Sequence, residues 1–290
     1  MILRPDETII ELNNGCLCCT LNDNLYDILN DLHDRRDEFD EVIIEATGIA
    51  DPTGLAQPFI IHPLIKKHFP LKRIICLVDA ELIEDQLEDT EEAINQIAYS
   101  DVLLINKIDL VSEDYLPELE SKLSKLNPLA TIIKGQKDHF PNIESMPKND
   151  RLEKLLEPMH KAEHVDNPSS FPVQKPHRHH HHNHTEEVFS HSFTLSIPFN
   201  DQVLRQQFLI YLSFQSKGLY RIKGLLWLEN EDHQYVLQSV GSRMSIEPKR
   251  LWSDTEQKQS VIVFIGKNLQ RVGLEKLINR CLSRFYSKRN

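Results

Sequence analysis

Three thiols fall within four positions, Cys16, Cys18 and Cys19, in the run Gly15-Cys16-Leu17-Cys18-Cys19. Zinc accepts thiolates at tetrahedral corners and itself favours their deprotonation. Three close cysteines leave one corner open. A metal carrier needs that opening, because a receiver's ligand must enter before the ion leaves. The bland alternatives are buried apolar cysteines or a redox pair. Cys76 and Cys281 sit in apolar runs and read as core. The odd total of five, so crowded, does not fit a secreted disulfide framework. A second group of metal ligands, His177, His179, His180, His181, His182 and His184, reads as low-affinity metal capture. A solvated linker is the alternative reading of that tract; an inserted tag fits less well, because Arg178 and Asn183 interrupt it.

Asn106-Lys107-Ile108-Asp109 follows an apolar run directly and has the N-K-x-D pattern that selects guanine in P-loop GTPases. A carboxylate at Asp109 can accept from the N1–H and exocyclic amine of guanine, a pair of donors that adenine lacks. The stem of Lys107 can lie over the base, and Asn106 can tie neighbouring loops together. A polar turn at a strand end is the alternative. Ile43-Ile44-Glu45-Ala46-Thr47-Gly48 is a second apolar run ending in acid, small residues and glycine. Glu45 there can hold a magnesium-bound water, and Gly48 can offer its N–H to a γ-phosphate without a Cβ in the way. An ordinary strand-to-loop turn fits the same residues.

The elements that must position these groups follow from hydropathy. Val42-Ile43-Ile44 and the runs 74–78, 102–105 and 130–133 are continuous, β-branched and apolar, as strands buried on both faces of a parallel sheet are. Helical candidates lie at 22–36, 80–99 and 113–126, and Asp51-Pro52 suits a further helix start. Residues 1–161 are thus predicted to form an α/β domain with a doubly wound, mostly parallel sheet. Residues 162–187, with three prolines and the histidine tract, read as an exposed linker. Residues 188–290 read as a smaller α+β domain: strands at 189–197, 219–228, 235–240 and 260–265, a helix at 201–213 opened by Asn200 or Asp201, and a closing helix at 269–285. Trp227 and Trp252 read as packing residues.

Composition sets the outer limits. Of 290 residues, 40% are hydrophobic and 27% charged, a globular balance, and the net charge of −11 repels phosphate backbones, so general nucleic-acid binding is excluded. No apolar run is long enough for a membrane helix and no apolar signal core opens the chain, so no membrane partner is expected and the cytoplasm is the expected compartment.

Taken together, residues 11–20, 45–52 and 106–109 resemble the CobW-type metallochaperone GTPases of the SIMIBI class of P-loop proteins. The blocks 220–227 and 263–269 look like that family's C-terminal domain, and a histidine-rich connector is common in the family. The resemblance implies a GTPase that binds GTP, Mg2+ and Zn2+ and passes zinc to a client metalloprotein. Cys16, Cys18 and Cys19 would hold zinc, Glu45 and Gly48 would sense magnesium and the γ-phosphate, and Asn106, Lys107 and Asp109 would read the base. Hydrolysis would turn a tight zinc site into a loose one, and a homo-oligomer is left open. One family element is missing: none of the nine glycines makes a G-x-x-x-x-G-K-[ST] loop. A truncated domain is therefore expected, with activity lost. Two alternatives stand beside this reading, a nucleotide-independent zinc buffer or adaptor and an accessory protein of cobalt insertion into a corrin.

Overall fold

The structure, a computed structural model, describes residues 20–46, 48, 50–136, 152, 188–215 and 217–283. The cysteine block, the histidine tract and the expected linker at 162–187 lie outside them. Two compact units are present, Met1–Leu71 and Lys72–Asn290.

The first unit holds helices α1 (Thr20–Asp34), α2 (Pro52–Ile61) and α3 (Pro63–His68). Asp51 caps α2 as its sequence suggests: Oδ1 accepts from the N–H of Thr53 at 2.8 Å, and Pro52 takes the first helical position. His62 then separates α2 from α3 and caps the latter. Leu25, Leu29, Phe59 and Ile65 bury against one another to form the core of this unit. The rings of His33 and His68 lie 4.2 Å apart beside it.

The expected strand at 42–44 is absent. Residues 40–46 carry no regular structure, and Ile43 is 85% exposed. A strand exists only where a neighbour accepts its hydrogen bonds, and hydropathy cannot report whether that neighbour is there.

The second unit begins with a parallel sheet of order β1-β2-β3: β1 (Ile75–Asp79), β2 (Val102–Asn106) and β3 (Thr131–Lys134). Between the strands run α4 (Ile83–Asp89), α5 (Glu91–Tyr99) and α6 (Tyr115–Leu126). The single helix expected over 80–99 is broken at Thr90, which is extended. Its hydroxyl donates to the carbonyl of Gln86 and accepts from the N–H of Ala93, closing α4 and capping α5. Val78, Leu103 and Ile105 bury one face of the sheet against Ile83, Ile97, Leu119 and Leu123 of the helices.

The C-terminal portion is an antiparallel sheet of order β4-β8-β5-β6-β7. Its strands are β4 (Val188–Leu195), β5 (Leu219–Trp227), β6 (His233–Val240), β7 (Arg243–Leu251) and β8 (Ser260–Lys267). Helices α7 (Asp201–Phe214) and α8 (Arg271–Cys281) cover one face through Leu204, Phe208, Leu212, Leu274 and Ile278. Asn200 caps α7, its Oδ1 accepting from Val203 N–H at 3.0 Å. The other face packs Leu225, Val261, Val263 and Ile265 against Ala98 and Leu129. The antiparallel sheet thus lies between two helices of its own and the flank of the parallel sheet. A parallel α/β layer followed by an antiparallel α+β layer is the expected fold class.

Strand β7 has no counterpart in the sequence reading. It is an edge strand with Arg243, Lys249, Arg250 and Pro248, residues that keep an edge from recruiting other chains and that also hide its alternation. The usable signal is Gly241-Ser242, a two-residue hairpin loop with Gly241 at φ 55°.

Candidate base-reading site at the end of the parallel sheet

β1 and β2 stop together. Asp79 lies opposite Asn106 in the parallel register, and Ala80 N–H donates to the Asn106 carbonyl at 3.1 Å. This is the carboxyl end of the sheet, where ligands of open α/β folds bind. Beyond it the chain turns at Lys107, which adopts a left-handed conformation with φ 57° and ψ 33°. Two bonds hold that turn: Asn106 Oδ1 accepts from Lys107 N–H at 2.8 Å, and Leu110 N–H donates to the Lys107 carbonyl at 3.0 Å. A short helical turn, Ile108–Leu110, then leaves Asp109 exposed. Asp109 makes no hydrogen bond or ion pair among the described residues.

The structure adds a residue that sequence reasoning missed. Asp79 Oδ2 lies 2.6 Å from Lys107 Nζ, and its Oδ1 accepts from Glu81 N–H at 3.0 Å. Desolvation opposes ionisation of this carboxyl, yet the bonds from Lys107 and from the backbone of Glu81 and Leu82 hold it below the usual carboxylate range. The same contact raises the Lys107 ammonium above its ordinary value. The only clue in the sequence was an acid ending an apolar run.

The other predicted residues are placed as follows. Glu45 is exposed on the irregular segment, and Gly48 is exposed in a turn. A Cβ at Gly48 would meet nothing within 4 Å, so packing does not demand glycine there. Both belong to the first unit, whereas Asn106, Lys107 and Asp109 belong to the second. Cys16, Cys18, Cys19, His177, His179, His180, His181, His182 and His184 are outside the described residues. No three His, Cys, Asp or Glu side chains gather for a metal among the described residues. Cys281 is fully buried and Cys76 partly so, both packed as core. Burial pushes their thiols up, Cys76 to about 11 and Cys281 to about 12. Trp252 is buried under the Arg250 guanidinium, a packing role as expected. No helix among the described residues is long and apolar enough to cross a membrane.

Two family profiles match in tandem and together take in most of the chain. "CobW/HypB/UreG, nucleotide-binding domain" matches residues 1–134, and "Cobalamin synthesis protein cobW C-terminal domain" matches residues 188–282. The chain belongs to the CobW family. Among similar proteins, zinc-regulated GTPase metalloprotein activator 1 of Schizosaccharomyces pombe is 28% identical over 92% of this CobW-type chain and 70% of its own. Zinc chaperone YjiA of Escherichia coli is 29% identical over 89% of this chain and 77% of its own. Zinc chaperone CobW of Pseudomonas aeruginosa is 24% identical over 95% and 75%. The crystal structure of Zn(II)-bound YjiA GTPase from E. coli superposes with a TM-score of 0.65 at 25% identity, covering 89% of this chain and 76% of that one. CobW-family membership accounts for the order of the two sheets and for the N-K-x-D pattern at the end of β2.

Proposed function

We propose that this CobW-type protein is a GTP-dependent zinc metallochaperone that hands zinc to a client metalloprotein. Cys16, Cys18 and Cys19 hold the cargo ion. The histidines of 177–184 raise the local zinc concentration around the protein. Asn106, Lys107 and Asp109 read guanine, and Glu45 and Gly48 meet the magnesium-bound water and the γ-phosphate. The observation that carries this reading is the exposed, unpartnered Asp109 carboxylate at the carboxyl end of a parallel sheet, next to a lysine fixed by Asp79. Two donors of guanine satisfy that carboxylate, and adenine leaves it unpaired, which gives the discrimination its energy. The names of relatives, zinc chaperone in two bacteria and zinc-regulated GTPase metalloprotein activator in a yeast, support the cargo assignment.

Magnesium fits the donor chemistry, because Glu45 offers hard carboxylate oxygen in an exposed position. When bound, the ion would neutralise charge developing on the phosphates. The part played by this chain's own residues is positional: the base is fixed by Asp109 and Lys107, and the attacking water is oriented from the Glu45 segment.

Phosphate release from GTP, by a form of the protein that carries the phosphate-binding loop, is the test. Glu45→Ala is expected to reduce it at least about a hundredfold with nucleotide affinity little changed. An unaltered rate would remove Glu45 from the reaction. A zinc titration with and without GTP separates the chaperone from a nucleotide-independent buffer, whose zinc affinity ignores the nucleotide.

A further inference from the structure

Among the described residues, Lys107 forms an ion pair with a side chain outside the N-K-x-D run. Its Nζ is 2.6 Å from Asp79 Oδ2, and the two side chains remain 46% and 20% exposed. An ion pair this open contributes little to stability. The left-handed backbone at Lys107 works against it, since such a conformation disfavours any residue with a Cβ. Fold stability is therefore a poor reason for the arrangement.

Geometry supplies a better one. Asp79 is anchored twice, by its place as the last residue of β1 and by the Glu81 N–H on Oδ1, so Oδ2 is presented in a fixed direction. Lys107 starts from β2, the neighbouring strand, at the register position just past Asn106. A side chain rooted beyond one strand and tethered at the end of the next must run across the end of the sheet. Lysine stems carry apolar surface even when their ammonium is solvated. The tether thus turns a freely rotating side chain into an ordered apolar strip two residues from Asp109.

We propose that Asp79 is a positioning residue for guanine nucleotides: it orders Lys107 so that the stem forms the surface on which the purine stacks. The inference rests on the base-reading role given to Asn106, Lys107 and Asp109. Untethered, the lysine must be ordered at the moment of binding, at a cost in side-chain entropy. Tethered, that ordering is complete beforehand.

The test is a double-mutant cycle on the whole chain, with GDP as the probe in calorimetric titration and ADP as the control. Asp79→Ala is expected to weaken GDP binding roughly three- to tenfold. Asp79→Glu should recover most of that loss, because it restores a carboxylate for the ammonium. Lys107→Ala should weaken binding as well, and Asp79→Ala added to it should cost nothing more. Preference for GDP over ADP is expected to survive in Asp79→Ala, since Asp109 still reads the base. Thermal unfolding of each variant confirms that it is folded, and the cycle is read from folded variants alone. Asp79→Ala binding like the parent, or losses that multiply in the double variant, would overturn the proposal. A parent chain that binds GDP no better than ADP overturns the base-reading role itself, a separate result.

Discussion

Asp101 and Lys223 are 122 residues apart in sequence, yet the lysine donates to Asp101 Oδ1 at 2.8 Å. Arg221 Nη2 reaches the same oxygen at 2.8 Å, Ile74 N–H occupies Oδ2 at 3.0 Å, and Arg221 Nη1 also donates to the Tyr99 carbonyl. Both cations come from β5 of the antiparallel sheet, while Asp101 immediately precedes β2 of the parallel one. The strand that ends in the N-K-x-D pattern is therefore fixed at its other end by the C-terminal sheet.

Burial opposes ionisation of Asp101, but Lys223 and Arg221 outweigh it and hold the carboxyl well below the usual carboxylate range. Asp101→Ala leaves two buried cations without a counter-ion and is expected to destabilise the chain by about 3–5 kcal/mol at pH 7 in urea unfolding. The sign with pH follows from the depressed value. The contribution is complete above the ordinary carboxylate range, about pH 4, and is lost as pH falls further toward the folded value. The gap between parent and Asp101→Ala should narrow only below about pH 4; a gap that narrows between pH 8 and 5 contradicts this account.

Asn127 makes a second link, wholly inside the parallel layer. Fully buried, it donates to the carbonyls of Ile97 at 2.7 Å and Ser100 at 2.9 Å and accepts from Leu129 and Ala130 N–H at 3.0 and 3.2 Å. Asn127→Ala strands several buried polar groups at once and should cost about 3 kcal/mol in chemical denaturation. A loss below about 1 kcal/mol would mean that other partners replace the amide.

Thiol chemistry separates the proposed cargo ligands from the core. With their thiols raised to about 11 and about 12, Cys76 and Cys281 are protonated at neutral pH, and Cys281 is buried as well. Native protein should label at Cys16, Cys18 and Cys19 alone, zinc should protect those three, and urea should release the other two. Mass spectrometry of peptides after labelling reads the outcome. Rapid native labelling of Cys281 would contradict its burial.

In the proposed reading, specificity for the base rests on the Asp109 carboxylate. Asp109→Asn swaps an acceptor pair for one acceptor and one donor, so GDP should weaken at least about a hundredfold and XDP should gain. Equilibrium dialysis with both nucleotides checks the reversal. Equal loss for both would assign Asp109 a structural role.

The parallel sheet was legible because strands buried on two faces leave unbroken apolar runs, and 102–105 is one. The caps at Asp51 and Asn200 were legible because a short polar side chain before a helix has one evident use. The strand expected at 42–44 has no pairing strand among the described residues, a matter of tertiary structure that no local pattern encodes. Strand β7 was hidden because an edge is built from charges and proline. At the end of β2, spacing alone singles out Asn106, Lys107 and Asp109, since they share one turn. Asp79 is not singled out, because its partner lies 28 positions downstream and only the register of two parallel strands brings them together.

Zinc affinity measured against a chromophoric chelator, with the protein loaded first with a non-hydrolysable GTP analogue and then with GDP, tests the central claim directly. The account predicts binding at least about tenfold tighter in the GTP-like state, a coupling of ~1.4 kcal/mol or more, abolished when Cys16, Cys18 and Cys19 are replaced by serine. Identical zinc affinities in the two nucleotide states would contradict it.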